Sequence, residues 1–402
     1  MKELENGNTL IIIGGGPAGT SCAIHAKKLA VQQNKDLSVI LIEPKSFGIH
    51  YNQCVGVLSP HILSLLKDIG LEFPDNLVQR KIHGYYLNIN GEEIYLPSEK
   101  HNDIAFAVRR NEFDAFMIDH AVRTGVQVIR GEAITFDYSK NDTENKFTIY
   151  CTTGTYRSNF VIGAFGVGNG IAREFYKTFH YRPPRVLQSI ITKIHPLDDL
   201  YIDRIFGNNI RAFLPLYRPI EFGAMTPKGN HLTINIAGER ISFKDMEHFL
   251  DMDEVKKWIP PHTELTFFKG QFPTRPADNF YGDNYLIIGD AAGLVRPFKG
   301  KGINSAILSG KVAAETVVNY GTTRTVLERH FVRNPEILRI LKDYKFGIAI
   351  RKLTIMASNH NLLKHIIPFA KRYEVFETAM YNAVSANRFY KDILVSLLKK
   401  IL

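Results

Sequence analysis

The pattern of apolar and polar positions near the start of the chain predicts a strand, a tight turn and a helix. The apolar run NTLIII at 8–13 ends in glycines, and residues 17–30 have a helix-forming composition. A second apolar run, LSVILIE at 37–43, ends in an acidic residue followed by proline. These segments predict a βαβ unit. A helix is next predicted over 59–69, with Ser59 as its N-cap and a proline as its first residue.

The middle of the chain changes to short extended segments. Asn90 and Gly91 lie between two of them, and this dipeptide is typical of a tight β-hairpin. Further strands are predicted at 126–130, 146–151, 160–163, 186–194 and 231–237, with a helix at 111–124. The parallel pattern resumes with a strand at 285–289 and a helix at 302–320, and the chain is predicted to be helical beyond Gly321.

A glycine motif follows the first predicted strand directly. Gly14, Gly16 and Gly19 form GxGxxG, in which the glycines permit a tight turn, close approach of a pyrophosphate and close packing of the helix on the strand. The pyrophosphate binds at the positive N-terminus of the helix. Glu43 ends the second strand 24 residues after Gly19, where a carboxylate can accept hydrogen bonds from ribose hydroxyls. This context predicts dinucleotide binding.

A second glycine-rich segment lies far along the chain. In YLIIGDAAGLVRPFKGKGINSAILSGKVAAE, a strand leads to Gly289 and Asp290, and then Gly300 and Gly302 precede a helix with small residues. The glycines allow close backbone approach to a polar ligand, and Asp290 offers an acceptor. Two such segments suit a long ligand such as FAD better than a nicotinamide dinucleotide alone.

This pair of motifs resembles the FAD-dependent oxidoreductases of the glutathione-reductase-like type, which include aromatic hydroxylases and geranylgeranyl reductases. The resemblance implies that Asp290 binds the ribityl chain of FAD and that the amides of Gly302 and Ile303 face the flavin pyrimidine ring. Arg110, three residues before a Phe-Asp pair, matches an arginine that contacts FAD in these families. The full predicted FAD site is Gly14, Gly16, Pro17, Ala18, Gly19, Glu43, Cys54, Val55, Val57, Arg110, Gly289, Asp290, Gly300, Gly302 and Ile303.

Within that group the details are similar to geranylgeranyl reductases. Hydroxylases usually have His where this chain has Gly293, whereas GDAAG, SGKVAA, CVGVLSP and the Pro-Lys-Gly hairpin in MTPKGNHLTINIAG match the reductases. The resemblance covers roughly residues 8 to 320. The chain departs from the pattern at Phe165, where these families usually have an acid. It departs again at Phe222 and Ala224, where the prenyl reductases carry a Tyr-x-Trp pair.

The predicted fold is therefore α/β: a Rossmann-like FAD-binding domain, an inserted and mostly antiparallel β substrate domain, and a helical C-terminal segment. The FAD-binding domain is assigned to 1–80, 104–171 and 281–320. The substrate domain is assigned to 81–103 and 172–280, and the helical segment to 321–402.

Cys54 is one of three cysteines and is the predicted catalytic residue. Reduction of an alkene by a flavin needs a proton as well as a hydride, and a protonated thiol beside the flavin can supply it or hydrogen-bond the ring. The alternative is a small buried residue, which is also the interpretation for Cys22 and Cys151. His50 and Tyr51 could line the same pocket. The sequence shows no metal-ligand spacing, so no metal is predicted.

Charge is concentrated at the C-terminal end. The net charge is +10, and residues 321–402 hold 15 Lys and Arg against 6 Asp and Glu. This segment is either a solvated helical surface or a contact for anionic lipid or an acidic partner, and no nucleic-acid partner is predicted. Tyr390, Ile393 and Leu397 share one face of a helix that could lie on a membrane or pack on the core. Few cysteines, no signal peptide and no spanning segment predict a cytoplasmic protein, with peripheral membrane contact through this segment.

The leading hypothesis is an FAD-dependent oxidoreductase of the geranylgeranyl reductase type that reduces C=C bonds of an isoprenoid or lipid-like substrate. With one dinucleotide motif in the sequence, the electrons are expected from transient NAD(P)H or from ferredoxin. A flavin monooxygenase or halogenase that uses oxygen is the first alternative. A flavoprotein that carries electrons to a quinone or protein partner, docked through the basic segment, is the second.

Overall fold

The structure is a computed structural model. It describes residues 4, 6–46, 54–98, 100, 103–142, 145–168, 170–214, 218–261, 265–296, 301–359, 362 and 365–401.

The strands, in chain order, are β1 Asn8–Ile13, β2 Leu37–Ile42, β3 Val57–Leu58, β4 Val78–Ile82, β5 Gly84–Ile89, β6 Glu92–Pro97, β7 Ala105–Val108, β8 Gln127–Ile129, β9 Ala133–Tyr138, β10 Phe147–Cys151, β11 Gly154–Ser158, β12 Phe160–Gly163, β13 Val186–Ile194, β14 Asn209–Leu214, β15 Ile220–Lys228, β16 His231–Gly238, β17 Phe268–Pro273, β18 Tyr281–Gly282 and β19 Tyr285–Ile287.

The α-helices are α1 Pro17–Gln32, α2 Ile62–Asp68, α3 Arg110–Arg123, α4 Ile171–Phe179, α5 Tyr201–Ile205, α6 Phe243–Asp251, α7 Asp253–Lys256, α8 Ile303–Asn319, α9 Arg324–Val326, α10 Pro335–Asn359, α11 Ile366–Arg372, α12 Glu374–Ser385 and α13 Tyr390–Ile401.

A mostly parallel sheet carries the two glycine-rich segments. Its strand order is β18-β19-β12-β1-β2-β8, and the antiparallel pair β18–β19 forms one edge. The central strands are apolar and buried on both faces, as parallel strands are when helices cover them, and β12 and β19 are buried at every residue. Because β1 and β19 run parallel on either side of β12, the turns that follow them lie at the same edge of the sheet.

Small residues let α1 and α8 pack closely beside this sheet. A Cβ placed at Gly310 would lie 2.3 Å from the carbonyl oxygen of Ala18 and 2.8 Å from the amide nitrogen of Cys22. Ser21 Oγ donates a hydrogen bond to the carbonyl of Ile307 at 2.8 Å. The small residues of SGKVAA are thus a packing requirement, since they hold the helices that begin at the two glycine-rich turns at a fixed distance.

Gly310→Ala should lower the free energy of unfolding by about 1–3 kcal/mol, because the added methyl group forces two helix backbones apart. Urea titration measures the change. Gly170→Ala is the matched control, since a Cβ there meets no atom within 4 Å, and a change within about 0.5 kcal/mol is expected. Equal effects of the two substitutions would contradict the packing argument.

The second sheet is mostly antiparallel, as predicted, with the order β17-β13-β16-β15-β14-β5-β6. Its hairpin at Asn90 and Gly91 is confirmed: both residues have positive φ, and Asn88 Oδ1 accepts a hydrogen bond from the Gly91 amide at 3.0 Å. One face packs an apolar core that includes Ile190, Met225, Ile234 and Phe249 of α6. The other face forms part of the wall of the cavity described below.

The C-terminal helices pack against the second sheet and against the turn at Gly293. The Tyr381 ring in α12 contacts Tyr85 of β5 edge to face, with the ring centres 6.0 Å apart. The Arg351 guanidinium in α10 pairs with Glu221 of β15, and the Tyr344 hydroxyl donates a hydrogen bond to the carbonyl of Gly293. This segment therefore forms part of the folded unit, and among the described residues no helix combines the length and apolarity needed to cross a bilayer.

One local prediction differs from the structure, and one alternative that the sequence left open is decided by it. Ser59 is not the N-cap of α2, so that prediction was wrong: α2 begins at Ile62 after His61, which has a left-handed φ of 73°. The Ser59 carbonyl instead accepts the Ile62 amide in a turn, and Asn304 of α8 donates to the next carbonyl, so the Ser-Pro pair ties α2 to α8. In α13, Tyr390 and Ile393 are buried, so its apolar face packs on the core rather than facing outward.

Candidate active site

The first glycine turn has a separate physical requirement at each glycine. Gly14 has a φ of 109°, and a Cβ there would lie 2.3 Å from the carbonyl oxygen of Ala164. A Cβ at Gly19 would lie 1.8 Å from the carbonyl oxygen of Gly14. At Gly16, by contrast, an added Cβ meets no atom within 4 Å, and no side chain caps the helix at this position. Gly14 and Gly19 are thus needed for packing, and Gly16 leaves the N-terminus of α1 open to a ligand.

The carboxylate of Glu43 shapes this turn. One of its oxygens accepts a hydrogen bond from the Gly15 amide at 2.6 Å, and the other accepts one from the Lys45 amide at 2.9 Å. Glu43 is only 6% exposed and does not line the cavity wall. Its observed contacts hold the turn against the end of β2, and its contact with a ribose stays a prediction.

The second glycine-rich segment adjoins the first, since a Cβ at Gly289 would lie 2.8 Å from Ala18 Cβ. Gly289 has a φ of 61°, and residues 289–292 form one 3₁₀ turn. A Cβ at Gly302 would lie 2.9 Å from Asp290 Oδ1, so this glycine lets the carboxylate approach the start of α8. Burial raises the pKa of Asp290 above its ordinary value, and Arg110 partly offsets the rise. Asp290, Gly302 and Ile303 all line the cavity.

Arg110 and Cys54 meet at the start of α3. The Arg110 Nε donates a hydrogen bond to Asp114 Oδ1 at 2.8 Å, and Asp114 is 1% exposed. Burial by itself lowers the pKa of Arg110. Asp114 and the thiol group of Cys54 together raise this pKa by more than burial lowers it, so the net change is upward. Cys54 is half-buried, lines the cavity, and its sulfur accepts the Gly56 amide at 3.4 Å. The structure therefore places the thiol beside a fixed cation.

One cavity of about 1030 Å³ joins these parts. This volume is at the upper end of the roughly 300–1,000 Å³ that is usual for small-molecule sites. The predicted site residues on its wall are Gly16, Pro17, Ala18, Cys54, Val55, Val57, Arg110, Asp290, Gly302 and Ile303. Gly14, Gly19, Glu43 and Gly289 are absent from the wall and shape the turns behind it. Gly300 lies outside the described residues, as do His50 and Tyr51.

The rest of the wall is largely apolar and comes from the second sheet and the C-terminal helices. Its side chains include Tyr85, Leu87, Ile89, Ile210, Ala212, Leu214, Ile191, Ile350, Ile366, Met380 and Val384. Sequence reasoning missed these residues, because each looks like ordinary core in its own strand or helix. The alternation of β14, in which 210, 212 and 214 share one face, was the available indication.

The departures from the family pattern also lie on this wall. Phe222 and Ala224 of β15 line it, where the prenyl reductases carry Tyr and Trp. Phe165 stands in the usual place of an acid and is 8% exposed, with its ring packed against Phe175 and Tyr181. The chain therefore replaces a polar group at this point with an aromatic contact, and adds apolar surface to the cavity.

Lys228, from the Pro-Lys-Gly hairpin, links the end of β15 to the end of β7. It is 3% exposed, and its Nζ donates a hydrogen bond to the carbonyl of Val108 at 2.8 Å. A Cβ at Gly56 would lie 3.0 Å from this Nζ, so Gly56 leaves room for the lysine behind the Cys54 loop. Burial, opposed by Cys54 and assisted by Lys193 and other cations, lowers the pKa of Lys228 to about 8.

This pKa predicts how stability depends on pH. Between pH 8 and about 10.5 the unfolded chain keeps the lysine proton that the folded chain has lost, so the free energy of unfolding should rise with pH. The contribution of one group is at most about 1.4 kcal/mol per pH unit. Lys228→Met should remove it, measured as the difference from wild type in urea unfolding at pH 8 and pH 10. Parallel pH profiles of the two proteins would contradict the assignment.

These residues fit FAD on the features of the structure itself. An open glycine at the N-terminus of a 16-residue helix suits a pyrophosphate, and a buried carboxylate beside a second glycine turn suits a polyhydroxyl chain. Among the described residues no group of three or more His, Cys, Asp or Glu could hold a metal ion.

Comparison with known proteins agrees with this geometry. No family model matches the chain. A digeranylgeranylglycerophospholipid reductase from Methanococcus vannielii is 22% identical over 372 residues, which cover 88% of this chain and 89% of that protein. A geranylgeranyl bacteriochlorophyll reductase-like protein from Thermoplasma acidophilum has the same fold, with a TM-score of 0.68 and 18% identity, covering 99% of this chain and 96% of that one. The chain is therefore similar to geranylgeranyl reductase-like proteins over nearly its whole length.

Other flavoproteins share the fold of this reductase-like chain. A flavin-dependent brominase superposes with a TM-score of 0.64 at 17% identity, covering 98% of this chain and 99% of that chain. The backbone at Gly293, where hydroxylases usually carry His, requires glycine. Its φ is 71°, and a Cβ would lie 2.4 Å from the carbonyl oxygen of Arg275. The histidine that hydroxylases usually carry here cannot be accommodated without a backbone shift.

Proposed function

We propose that the chain is an FAD-dependent reductase that saturates carbon–carbon double bonds of an isoprenoid or other lipid-like substrate. The observation that carries the proposal is the single cavity that joins both glycine turns, Cys54 and an apolar sheet face. The first parts suit FAD, and the apolar wall suits a long hydrocarbon chain, which gains about 25 cal/mol for each Å² of apolar surface it buries. The relatives named as lipid reductases support the same substrate class.

FAD, when bound and reduced, supplies the hydride for such a reduction. Cys54 donates the proton that the second carbon needs, so that the double bond gains one hydride and one proton and becomes saturated. Arg110 and Lys228 both interact electrostatically with the Cys54 thiol group and stabilise the negative charge left on the sulfur until water returns the proton. The apolar wall and the C-terminal helices reduce the contact of the reacting carbons with water.

The electrons must come from outside the chain. We propose transient NAD(P)H or ferredoxin as the donor, because the sequence carries a single dinucleotide motif, which we assign to FAD. Anaerobic mixing of the oxidised protein with each donor, followed by flavin absorbance, distinguishes the two.

The reductase activity is tested with purified protein. The flavin should bleach on anaerobic reduction, and polyprenyl lipid should reoxidise it, with two hydrogens gained by the lipid for each double bond saturated. Mass spectrometry of the lipid measures the gain. Oxygen consumption with a hydroxylated or halogenated product would favour the oxygen-using alternative, and protein without bound flavin would exclude both.

We also propose that the protein contacts a membrane through α11 and the segment before it. Leu362, Ile366, Phe369 and Tyr373 are between 39% and 54% exposed, and Ile366 also lines the cavity, so the apolar surface continues from the cavity wall to the outside. The surrounding segment is basic, which suits anionic lipid.

Phe369→Ser should weaken binding to anionic vesicles roughly tenfold, since a fully buried Phe side chain contributes about 1.5–3 kcal/mol. Co-sedimentation with vesicles containing phosphatidylglycerol measures the loss. Leu197→Ser, at a side chain that is 72% exposed but far from the basic segment in sequence, is the control. The membrane proposal fails if both variants sediment like the wild type.

A further inference from the structure

One end of the cavity-facing sheet surface carries a group of basic side chains, of which the proposed reduction uses only Lys228. Ala224, Asn235 and Ile191 face one another across β15, β16 and β13 and line the cavity. Side chains two residues further along each strand lie on the same face of the sheet. The register therefore continues the cavity wall into a new row of side chains, namely Thr226, Thr233 and Lys193.

The next row on this face is more strongly basic. Lys228 lies opposite His231 in the β15–β16 ladder, and the His231 ring stacks on His195 with the ring centres 5.2 Å apart. Lys228 donates to the carbonyl of Val108, which brings the neighbouring Arg109 to the same place. We call this group, Arg109, Lys193, His195, Lys228 and His231, the cationic corner.

Positive charge is concentrated in the cationic corner. Burial, Lys228, His195, Lys193 and Arg109, in that order, lower the pKa of His231 to about 3. Glu112 is the carboxylate that acts on Lys228, but it is paired with Arg109 at 3.1 Å. The sheet register and the Lys228 hydrogen bond place the five groups together independently of these pKa shifts.

Two buried polar atoms in the same rows have no hydrogen-bond partner among the described residues. They are Nδ1 of His231, a residue that is 4% exposed, and Oγ1 of Thr233, a residue that is 1% exposed. A buried polar atom without a partner costs about 1–3 kcal/mol. Folds keep such groups rarely, and a ligand that supplies both hydrogen-bonding capacity and negative charge would relieve the cost.

We propose that the cationic corner binds a phosphate-type oxyanion. A phosphate carries up to two negative charges and several acceptor oxygens, so it can accept hydrogen bonds from groups that approach from different strands and from α3. The inference deepens the proposed function and rests on it, because the corner continues the apolar cavity wall past Cys54. A ligand with a phosphate at one end can bind there while the rest of it lies in the cavity.

The direct test uses inorganic pyrophosphate and the flavin-loaded protein. Isothermal titration should show binding that weakens as ionic strength rises, and the ring signals of His195 and His231 should shift in NMR spectra. The double variant Lys193→Ala/His195→Ala should weaken binding at least tenfold, as expected for lost charge-assisted hydrogen bonds. Both side chains are on the exposed surface, so the variant should fold.

The matched control is Lys244→Ala/His248→Ala. These residues lie on α6, which packs on the opposite face of the same sheet through Met246 and Phe249. The control removes the same residue types from a helix packed on the other face of the sheet, without changing the cationic corner. Pyrophosphate affinity should therefore equal that of the wild type.

Two sources of the phosphate can be separated by steady-state kinetics. If it belongs to the lipid, the Lys193→Ala/His195→Ala variant raises the KM of a prenylated glycerol phosphate but not of the corresponding alcohol with the same chains. If it belongs to a nicotinamide dinucleotide, the variant raises the NAD(P)H concentration needed for half-maximal anaerobic flavin reduction. Either pattern, with kcat retained, supports the site.

The inference is overturned if wild-type protein does not bind pyrophosphate, or if both double variants bind it equally well. Its failure is distinguishable from failure of the proposed function, because pyrophosphate binding is measured without turnover. If the protein reduces lipid but does not bind pyrophosphate, the proposed function is supported and the phosphate site is contradicted. If it binds pyrophosphate at the cationic corner but does not reduce lipid, the site is supported and the proposed function is contradicted.

Discussion

Gly16→Leu should yield a folded protein that has lost its flavin. The structure leaves open space where a Cβ at Gly16 would lie, and the backbone there has a φ of −71° and a ψ of −177°, which any residue adopts. The leucine side chain would project into the space that a pyrophosphate needs at the N-terminus of α1. FAD affinity should fall by at least about 100-fold, or roughly 2.7 kcal/mol. Fluorescence titration of the apoprotein with FAD measures it.

Gly19→Ala is the informative comparison for this experiment. Its Cβ would lie 1.8 Å from the carbonyl oxygen of Gly14, so the helix could not remain packed on the turn. This variant should lose stability and flavin together, whereas Gly16→Leu should keep the thermal midpoint of the wild-type apoprotein. If Gly16→Leu retains normal flavin content, the ligand does not approach the helix at this turn.

The two glycine turns could be predicted because their requirements are local. A strand, a glycine and a helix follow one another within about ten residues, and the restrictions on Gly14 and Gly19 come from backbone atoms of the same turn and of the neighbouring strand end at Ala164. The same is true of the hairpin at Asn90, where the sequence specifies the turn type. Such features are encoded within a window that sequence reasoning can examine.

The substrate side of the cavity could not be predicted in this way. Its wall joins β5, β14 and α12, and contacts such as the Tyr85–Tyr381 pair connect residues almost 300 positions apart. Nothing in the helical periodicity of α12 indicates which face it turns to a cavity. The Ser59 prediction failed for a related reason, because the Ser-Pro turn is held by Asn304 of α8 rather than by its own helix.

Cys54→Ala should retain FAD and lose lipid reduction by about 10²–10⁴-fold, the usual contribution of a positioned proton donor. The thiol lines the cavity near the cations Arg110 and Lys228, which stabilise the anion that proton donation leaves behind. Since the alanine only removes the sulfur, the flavin should still be reduced anaerobically at the wild-type rate. The step that slows should be reoxidation of the flavin by the lipid, measured by stopped-flow absorbance.

Cys22→Ala and Cys151→Ala are the controls for this experiment. Burial raises the pKa of both thiols, and neither lines the cavity, so neither can donate a proton to a bound lipid. Their turnover should stay within about twofold of the wild type, a change that corresponds to less than 0.5 kcal/mol in the barrier. Equal turnover in all three variants would mean that Cys54 only fills space beside the flavin. A loss confined to Cys54→Ala, at normal flavin content and reduction rate, would assign the proton transfer to this thiol.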